Sequence, residues 1–215
     1  MPTTRRHPVF ARIYPRLSQA VEPQAAPYRR ELLAGLAGRV VEVGAGNGLN
    51  FPHYPATVTE VVAVEPEPHL RALAAAAAAR GAVPIRVVPG TADALPVEDA
   101  SMDAAVASLV LCSVPDQATA LAELYRVLRP GGELRFFEHL RAETLGMARA
   151  QRLADAVWPL LFGGCHTGRD TLGAITAAGF EVTGGRRFNL PDPGPSMPAS
   201  PHVLGVASRP RDPAA

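Results

Sequence analysis

The stretch Arg39–Asn50, R-V-V-E-V-G-A-G-N-G-L-N, decides the fold. Arg39 to Val43 is a short β-rich run and reads as a strand entering a core. Gly44, Gly46 and Gly48 follow at alternate positions. With no Cβ, a glycine backbone reaches φ > 0 and lets a ligand approach closely. Leu49, Asn50, Phe51 and His53 then have helical character. Strand, glycine-rich turn and helix start make the crevice at the carboxyl end of a parallel strand where nucleotides bind. The pattern is G-x-G-x-G preceded by Glu42, one residue shorter than the G-x-G-x-x-G of dinucleotide binders.

Downstream, Thr59–Val64 reads as a second strand ending in Glu65. An acid at the tip of the strand after the glycine turn can accept hydrogen bonds from both ribose hydroxyls of a nucleoside. Pro66 stiffens the loop, and Glu67–Arg80 is an alanine-rich helix closed by Gly81. Ile85–Val88 is a third strand. The small-residue loop after it, with Thr91, Ala92 and Asp93, would border an adenine ring. Ala104–Leu111 reads as strand four, Asp116–Leu128 as an amphipathic helix, and Arg129–Gly132 as a turn into strand five, Glu133–Phe137. Glu138 and His139 then stand on the ligand side of the sheet. Residues 144–162 read as a helix interrupted at Pro159 and broken by Gly163-Gly164-Cys165-His166. Thr167 to Asp170 has capping-box spacing and opens a helix to Gly179. Phe180–Phe188 and His202–Ser208 close the pattern as strands around a proline-rich loop, 191–201. Alternating strands and helices followed by two late strands favour an α/β fold with an antiparallel pair at one edge. Ahead of all this, Phe10, Ile13, Tyr14 and Leu17 share a helical face, and Tyr28–Leu36 reads as a second helix. Residues 1–38 are therefore expected to lie over the pocket as a helical lid, with 39–215 as the main domain.

The 215 residues suit one domain, and 47% hydrophobic against 19% charged content is enough for a sizeable core. A net charge of +1 gives no reason to expect nucleic acid as a partner. All 21 basic residues are arginine, which stays protonated, so proton acceptors come from His, Asp, Glu, Tyr and Cys. Cys112 and Cys165 are far apart with no C-x-x-C, so they read as reduced thiols and no metal site is expected. The start of the chain, with Arg5-Arg6-His7, lacks a signal-peptide pattern. No run approaches the roughly 20 apolar residues of a spanning helix, so a cytoplasmic protein without a transmembrane anchor is expected.

E-V-G-A-G-N-G (Glu42–Gly48), V-E-P at strand two, S-M-D-A-A-V at strand four and V-L-R-P-G-G before strand five resemble class I S-adenosylmethionine-dependent methyltransferases. Within them, G-L-N-F-x-x-Y-P (48–55), E-P-E-P-H (65–69), L-V-L-C-S-V (109–114), E-H (138–139), Gly164-Cys165 with Arg169, and P-H-V-L-G (201–205) are similar to the methyltransferase-like 7 group. Animal members of that group are thiol S-methyltransferases and carry a hydrophobic N-terminal membrane segment, which this sequence lacks. The resemblance implies a Rossmann-like, seven-stranded, mostly parallel sheet with helices on both faces and an antiparallel edge strand. It implies S-adenosyl-L-methionine as cofactor: Gly44, Ala45 and Gly46 under the methionine part, with Glu42 and Asn50 flanking that turn, Glu65 on the ribose, Pro66 beside the adenine, and Ser108 near the methyl-bearing sulfur. Many relatives have an acid where Thr91 stands, so Thr91 or Asp93, or water, would meet the adenine amino group here, with Ala92 beside them in the cofactor site.

Methyl transfer is an in-line displacement, so positioning and desolvation supply much of the effect. A small apolar acceptor is expected, a thiol first, because a thiol pKa near 8.5 needs only a weak base. His139 and His166 are the candidate bases, with Glu138 behind them. Trp158, Leu161 and Phe162 would form an apolar wall of the acceptor site. A lipid amine or a quinone-precursor carbon are alternative acceptors, and a non-catalytic cofactor or nucleotide binder is the alternative class.

Overall fold

The computed structural model describes residues 7–192 and 194–211. Seven strands form one sheet in the order β3-β2-β1-β4-β5-β7-β6. They are β1 (Gly38–Val43), β2 (Val58–Val64), β3 (Ile85–Val88), β4 (Met102–Ser108), β5 (Leu128–His139), β6 (Glu181–Asn189) and β7 (Pro201–Ser208). The first five run parallel. β7 opposes both of its neighbours, so the reversed strand lies one position in from the edge and β6 closes the sheet. The fold class and seven strands agree with expectation.

Among the described residues there are six α-helices: α1 (Pro8–Leu33), α2 (Pro68–Ala78), α3 (Gln117–Val127), α4 (Leu145–Ala154), α5 (Trp158–Leu161) and α6 (Thr171–Ala177). Strand alternation sends Val41, Val43, Val62, Val64, Ala105 and Ala107 to one face, against Leu121 and Leu124 of α3 and Ile175 of α6. Val40, Val61, Ala63, Ala104 and Val106 face the other way, against Leu32 and Leu33 of α1 and Ala74 of α2. Burial on both faces is why these strands read as continuous apolar runs.

Five expectations change. The helix expected over 144–162 breaks at 155–157 and not at Pro159, which is tolerated in the first turn of α5. The two N-terminal helices are one helix of 26 residues that runs through Pro15, Pro23 and Pro27. Its supposed single face divides: Phe10 and Tyr14 are half-buried while Ile13 and Leu17, with Val9 and Val21, face solvent. Packing of Ala11, Ala25, Leu32 and Leu33 holds the helix where the prolines remove hydrogen bonds. Strand four stops at Ser108 rather than Leu111, because Leu109 turns the chain with φ +58°. The turn before strand five is a bulge inside β5: pairing with β4 jumps from Met102–Leu128 to Ala104–Glu133. Finally, Thr167 does not cap α6. Asp170 does, accepting from the Gly173 N–H, while the Thr167 hydroxyl donates to Asp155. Among the described residues no helix is long and apolar enough to cross a membrane.

Candidate active site

The glycine turn leaves β1 with Gly44 at φ +62° and Gly46 at φ +58°. A Cβ at Gly44 would overlap Val110, and one at Gly46 would sit 3.2 Å from Tyr14 Cε1. The turn is thus enclosed between the loop after β4 and helix α1. Glu65, at the tip of β2, accepts from the Gly46 N–H at 2.8 Å and the Glu67 N–H at 2.9 Å. Burial pushes its carboxyl up to about 7 against those two bonds. Glu67 in turn accepts from the His7 N–H, so the start of α1 is fastened across the same crevice. Pro66 gives its carbonyl to Arg71, and Thr91 and Ala92 stand half-buried in the loop after β3. That loop follows Val88, whose carbonyl accepts from the Glu65 N–H. These residues lie together around the carboxyl ends of β1, β2 and β3.

Glu42 and Asn50 occupy a different position in the site. Glu42 accepts from Asn50 Nδ2 at 2.9 Å and Tyr54 Oη at 2.6 Å, beneath the turn and out of solvent. Both of its oxygens are thus engaged in bracing the turn. Burial raises its pKa to about 7, opposed by the Tyr54 and Asn50 bonds. The sign of the resulting pH effect follows directly. The unfolded chain releases this proton near its ordinary 4.5 and the folded protein only near 7. The stability from the held proton is complete below the lower value and lost as pH rises through the upper one. Unfolding midpoints between about pH 5 and 8 should therefore fall more steeply in the wild type than in Glu42→Gln. Parallel curves would show that Glu42 carries no such linkage.

Asn50 also accepts from Arg29 Nη1 at 2.9 Å, and the same nitrogen donates to Ser108 Oγ at 3.0 Å. Arg29, on α1, is buried and paired with Glu22 at 3.0 Å. A buried guanidinium between the glycine turn and Ser108 was invisible in the sequence, where Arg29 is one arginine among many in a helix without a motif.

At the end of β5, Glu138 is fully buried and accepts from the backbone N–H groups of Val110 and Leu111 at 2.8 Å and of Cys112 at 3.2 Å. It shapes the loop after β4 and is no free base, which corrects its place among the candidates. His139 Nδ1 lies 3.4 Å from Cys112 Sγ and 3.6 Å from Cys165 Sγ, and the two sulfurs are 3.6 Å apart. The cysteines, isolated in sequence, thus meet in space. The Cys165 loop is held there by Asp155, which accepts from the Thr167 and Gly168 N–H groups, and by Gln151, which donates to the Thr167 carbonyl. Arg169 donates to the carbonyls of Leu111 and Val114 and ties the same loop to that of Cys112. Hydrogen bonds from Cys112 and then His139 pull the Cys165 thiol down to about 5, against burial. Cys112 is pushed up by its bond to Cys165 and by burial. Burial opposes the His139 imidazolium, but Cys165 outweighs it and the pKa rises. The trio favours one thiolate with an imidazolium beside it.

His166 donates its backbone N–H to the Cys112 carbonyl, and its Nδ1 is 2.9 Å from the Gly164 carbonyl oxygen, so that ring nitrogen is already engaged. Leu161 is 62% exposed, and Trp158 and Phe162 stack on each other at 4.1 Å. The ring against this loop is Phe10 of α1, which a Cβ on Gly163 would strike at 2.6 Å.

Glu65→Ala should weaken binding of S-adenosylhomocysteine by about 1–3 kcal/mol, the scale of lost bonds to a charged group. An analogue without ribose hydroxyls should lose much less. Equal losses for both ligands, by calorimetry, would mean that Glu65 acts only by holding Gly46.

Residues 41–136 match the family described as a methyltransferase domain. Human thiol S-methyltransferase TMT1A is 34% identical over 196 residues, 86% of this chain and 79% of that protein. Human thiol S-methyltransferase TMT1B is 35% identical over 183 residues, 81% of this chain and 73% of that one. A solved S-adenosylmethionine-dependent methyltransferase from Thermotoga maritima has the same fold, with a TM-score of 0.69 at 23% identity over 94% of this chain and 98% of that one. A third of the residues shared with TMT1A and TMT1B over most of both chains, on this sheet, makes the protein a class I S-adenosylmethionine-dependent methyltransferase and a member of the group to which those two enzymes belong.

Proposed function

We propose that the enzyme transfers the methyl group of S-adenosylmethionine to small apolar thiols. The observation that carries this reading is that the carboxylates around the ends of β1 and β5 are already committed. Glu42 serves Asn50 and Tyr54, and Glu138 serves three backbone N–H groups. Deprotonation is left to His139 and its sulfur neighbours. Such a site suits an acceptor that ionises near neutral pH, and a thiol is the one with the smallest demand. Of the two candidate histidines, His139 has the better geometry, since the His166 ring is engaged with Gly164. The naming of TMT1A and TMT1B as thiol S-methyltransferases supports the same acceptor.

The cofactor would lie over Gly44–Gly46 with its ribose at Glu65, its adenine edge near Pro66 and Thr91–Ala92, and its methyl-bearing sulfur near Ser108. The amino-acid carboxylate falls to Arg29, whose buried guanidinium already reaches Asn50 and Ser108. The first half of α1 acts as a lid, with Phe10 and Tyr14 as an apolar wall in place of the exposed Leu161. In the reaction an acceptor sulfur lone pair forms the new S–CH₃ bond while the sulfonium S–CH₃ bond breaks. Its electron pair remains on the cofactor sulfur, giving S-adenosylhomocysteine.

The test is a turnover screen of alkyl thiols, amines and phenols at several pH values. Rates for thiols should rise with pH as thiolate forms. Turnover of amines or phenols with no thiol at any pH would overturn the acceptor and favour the lipid-amine or quinone-precursor reading. Arg29→Ala should weaken S-adenosylhomocysteine by about 10–100-fold, the equivalent of a lost charge-assisted bond, and leave 5′-methylthioadenosine, which has no carboxylate, nearly unchanged. An equal loss for both would remove Arg29 from the carboxylate.

A further inference from the structure

Cys112, His139 and Cys165 come from three different places: the loop after β4, the end of β5 and the loop before α6. Their donor atoms form a triangle with edges of 3.4 Å from His139 Nδ1 to Cys112 Sγ, 3.6 Å from Nδ1 to Cys165 Sγ, and 3.6 Å between the sulfurs. A tetrahedral zinc ion, with bonds of about 2.3 Å to sulfur and 2.0–2.1 Å to nitrogen, sets two sulfurs about 3.8 Å apart and a sulfur about 3.6 Å from a nitrogen. The triangle is therefore, within about 0.2 Å, one face of a zinc tetrahedron. We propose that these three side chains bind a thiophilic divalent ion, zinc first, and that its fourth position takes the acceptor thiolate.

The surroundings agree with this assignment. Two thiolates neutralise a divalent cation, and soft sulfur donors select zinc over magnesium or calcium. The group of donors stops at three among the described residues. Asp155 and Glu138, the nearby acids, are committed to backbone N–H groups. Three protein ligands with a fourth position left open is the arrangement of a zinc site that handles substrate. The trio is also in the right place: Val110, two residues before Cys112, packs on Gly44 of the cofactor turn, and Ser108 begins the same loop.

The proposal deepens the thiol reading and rests on it for the fourth ligand. An acceptor thiol binding to the ion releases its proton to solvent, because a coordinated thiol is deprotonated. The bound sulfur then forms its bond to the methyl carbon as the sulfonium S–CH₃ bond breaks. The thioether product is a weaker ligand than a thiolate and leaves. In this scheme His139 serves deprotonation as a ligand rather than as a base.

The test uses the full chain, freed of metal by a chelator and kept reduced. Zinc is titrated against a chromophoric competitor, and cobalt(II) serves as the spectroscopic probe. The expected result is one zinc per chain, an intense tetrahedral cobalt spectrum with sulfur charge-transfer bands, and a spectral shift on adding an alkyl thiol. Cys165→Ser and His139→Ala, on different elements, should each weaken zinc by more than the roughly 10–100-fold that a change outside the ligand set costs. Circular dichroism identifies a variant that fails to fold, and the other then decides. No stoichiometric zinc, or zinc retained in both folded variants, overturns the site. Zinc bound with a cobalt spectrum indifferent to alkyl thiols overturns the role of the fourth position. Because binding is read without turnover, a failed thiol screen with the zinc site intact would count against the acceptor alone.

Discussion

Gly46→Val is expected to abolish binding of S-adenosylhomocysteine while leaving a folded protein. Gly46 holds φ +58°, a region that costs a β-branched residue on the order of 1–3 kcal/mol. Its new Cβ would lie 3.2 Å from Tyr14 Cε1, in the crevice where the methionine part of the cofactor is proposed to lie. The Gly46 N–H is also the one that fastens Glu65, so a displaced turn moves Glu65, the proposed ribose acceptor, with it. Strain, steric block and loss of the Glu65 anchor act together, and affinity should fall by at least about 100-fold. Calorimetry with S-adenosylhomocysteine, beside a circular dichroism spectrum, checks it. An unchanged affinity would remove the turn from the cofactor site.

The largest stability effect should come from Glu138→Ala. One buried carboxylate satisfies three consecutive N–H groups, and each buried donor left without a partner costs about 1–3 kcal/mol. Relaxation and water will recover part of that, so a net loss of about 3–5 kcal/mol is expected, comparable to breaking a buried ion pair. At roughly 2–4 °C per kcal/mol for a domain of this size, the midpoint should drop by about 10 °C. Glu138→Gln keeps one oxygen acceptor and should fall between. The loop it shapes begins at Leu109, whose φ of +58° persists only where its neighbours enforce it. A Glu138→Ala protein within about 1 kcal/mol of wild type would show that the loop holds itself.

What the sequence made legible was local. The apolar runs, the glycine turn, Glu65 at its strand tip and the Asp116 start of α3 were all readable within a few neighbouring residues, and the structure places them so. What escaped depends on distant partners. Arg29 gains its meaning from Ser108, 79 residues away, and Cys112 from Cys165, 53 residues away. No spacing rule encodes those distances, because the fold closes them: α1 lays Arg29 against the end of β4, and the loops after β4 and before α6 bring the cysteines together. Glu138 shows the same limit in reverse. A carboxylate at the ligand end of a strand reads as a base until its three backbone donors, 26 to 28 residues upstream, are seen to occupy it. Thr167 had the spacing of a cap, but Asp155 competed for its hydroxyl and Asp170 took the cap instead.

The prolines of α1 have a dynamic consequence. Pro15, Pro23 and Pro27 each delete an amide proton from the ladder, so the helix is a series of short hydrogen-bonded segments rather than one cooperative rod. Its second half is riveted by Leu32, Leu33 and the Arg29 pairings. Its first half crosses the glycine turn on the bonds of His7 to Glu67 and Ser18 with Asn47 and on the packing of Ala11, Phe10 and Tyr14. Amide exchange should therefore be graded along one continuous helix, fast before Pro15 and slow after Pro27. In its proposed role as a lid, this segment need not swing as a body. Once His7 releases Glu67, it can unwind from Pro8 as far as Pro15 and wind up again without disturbing the residues that anchor the sheet.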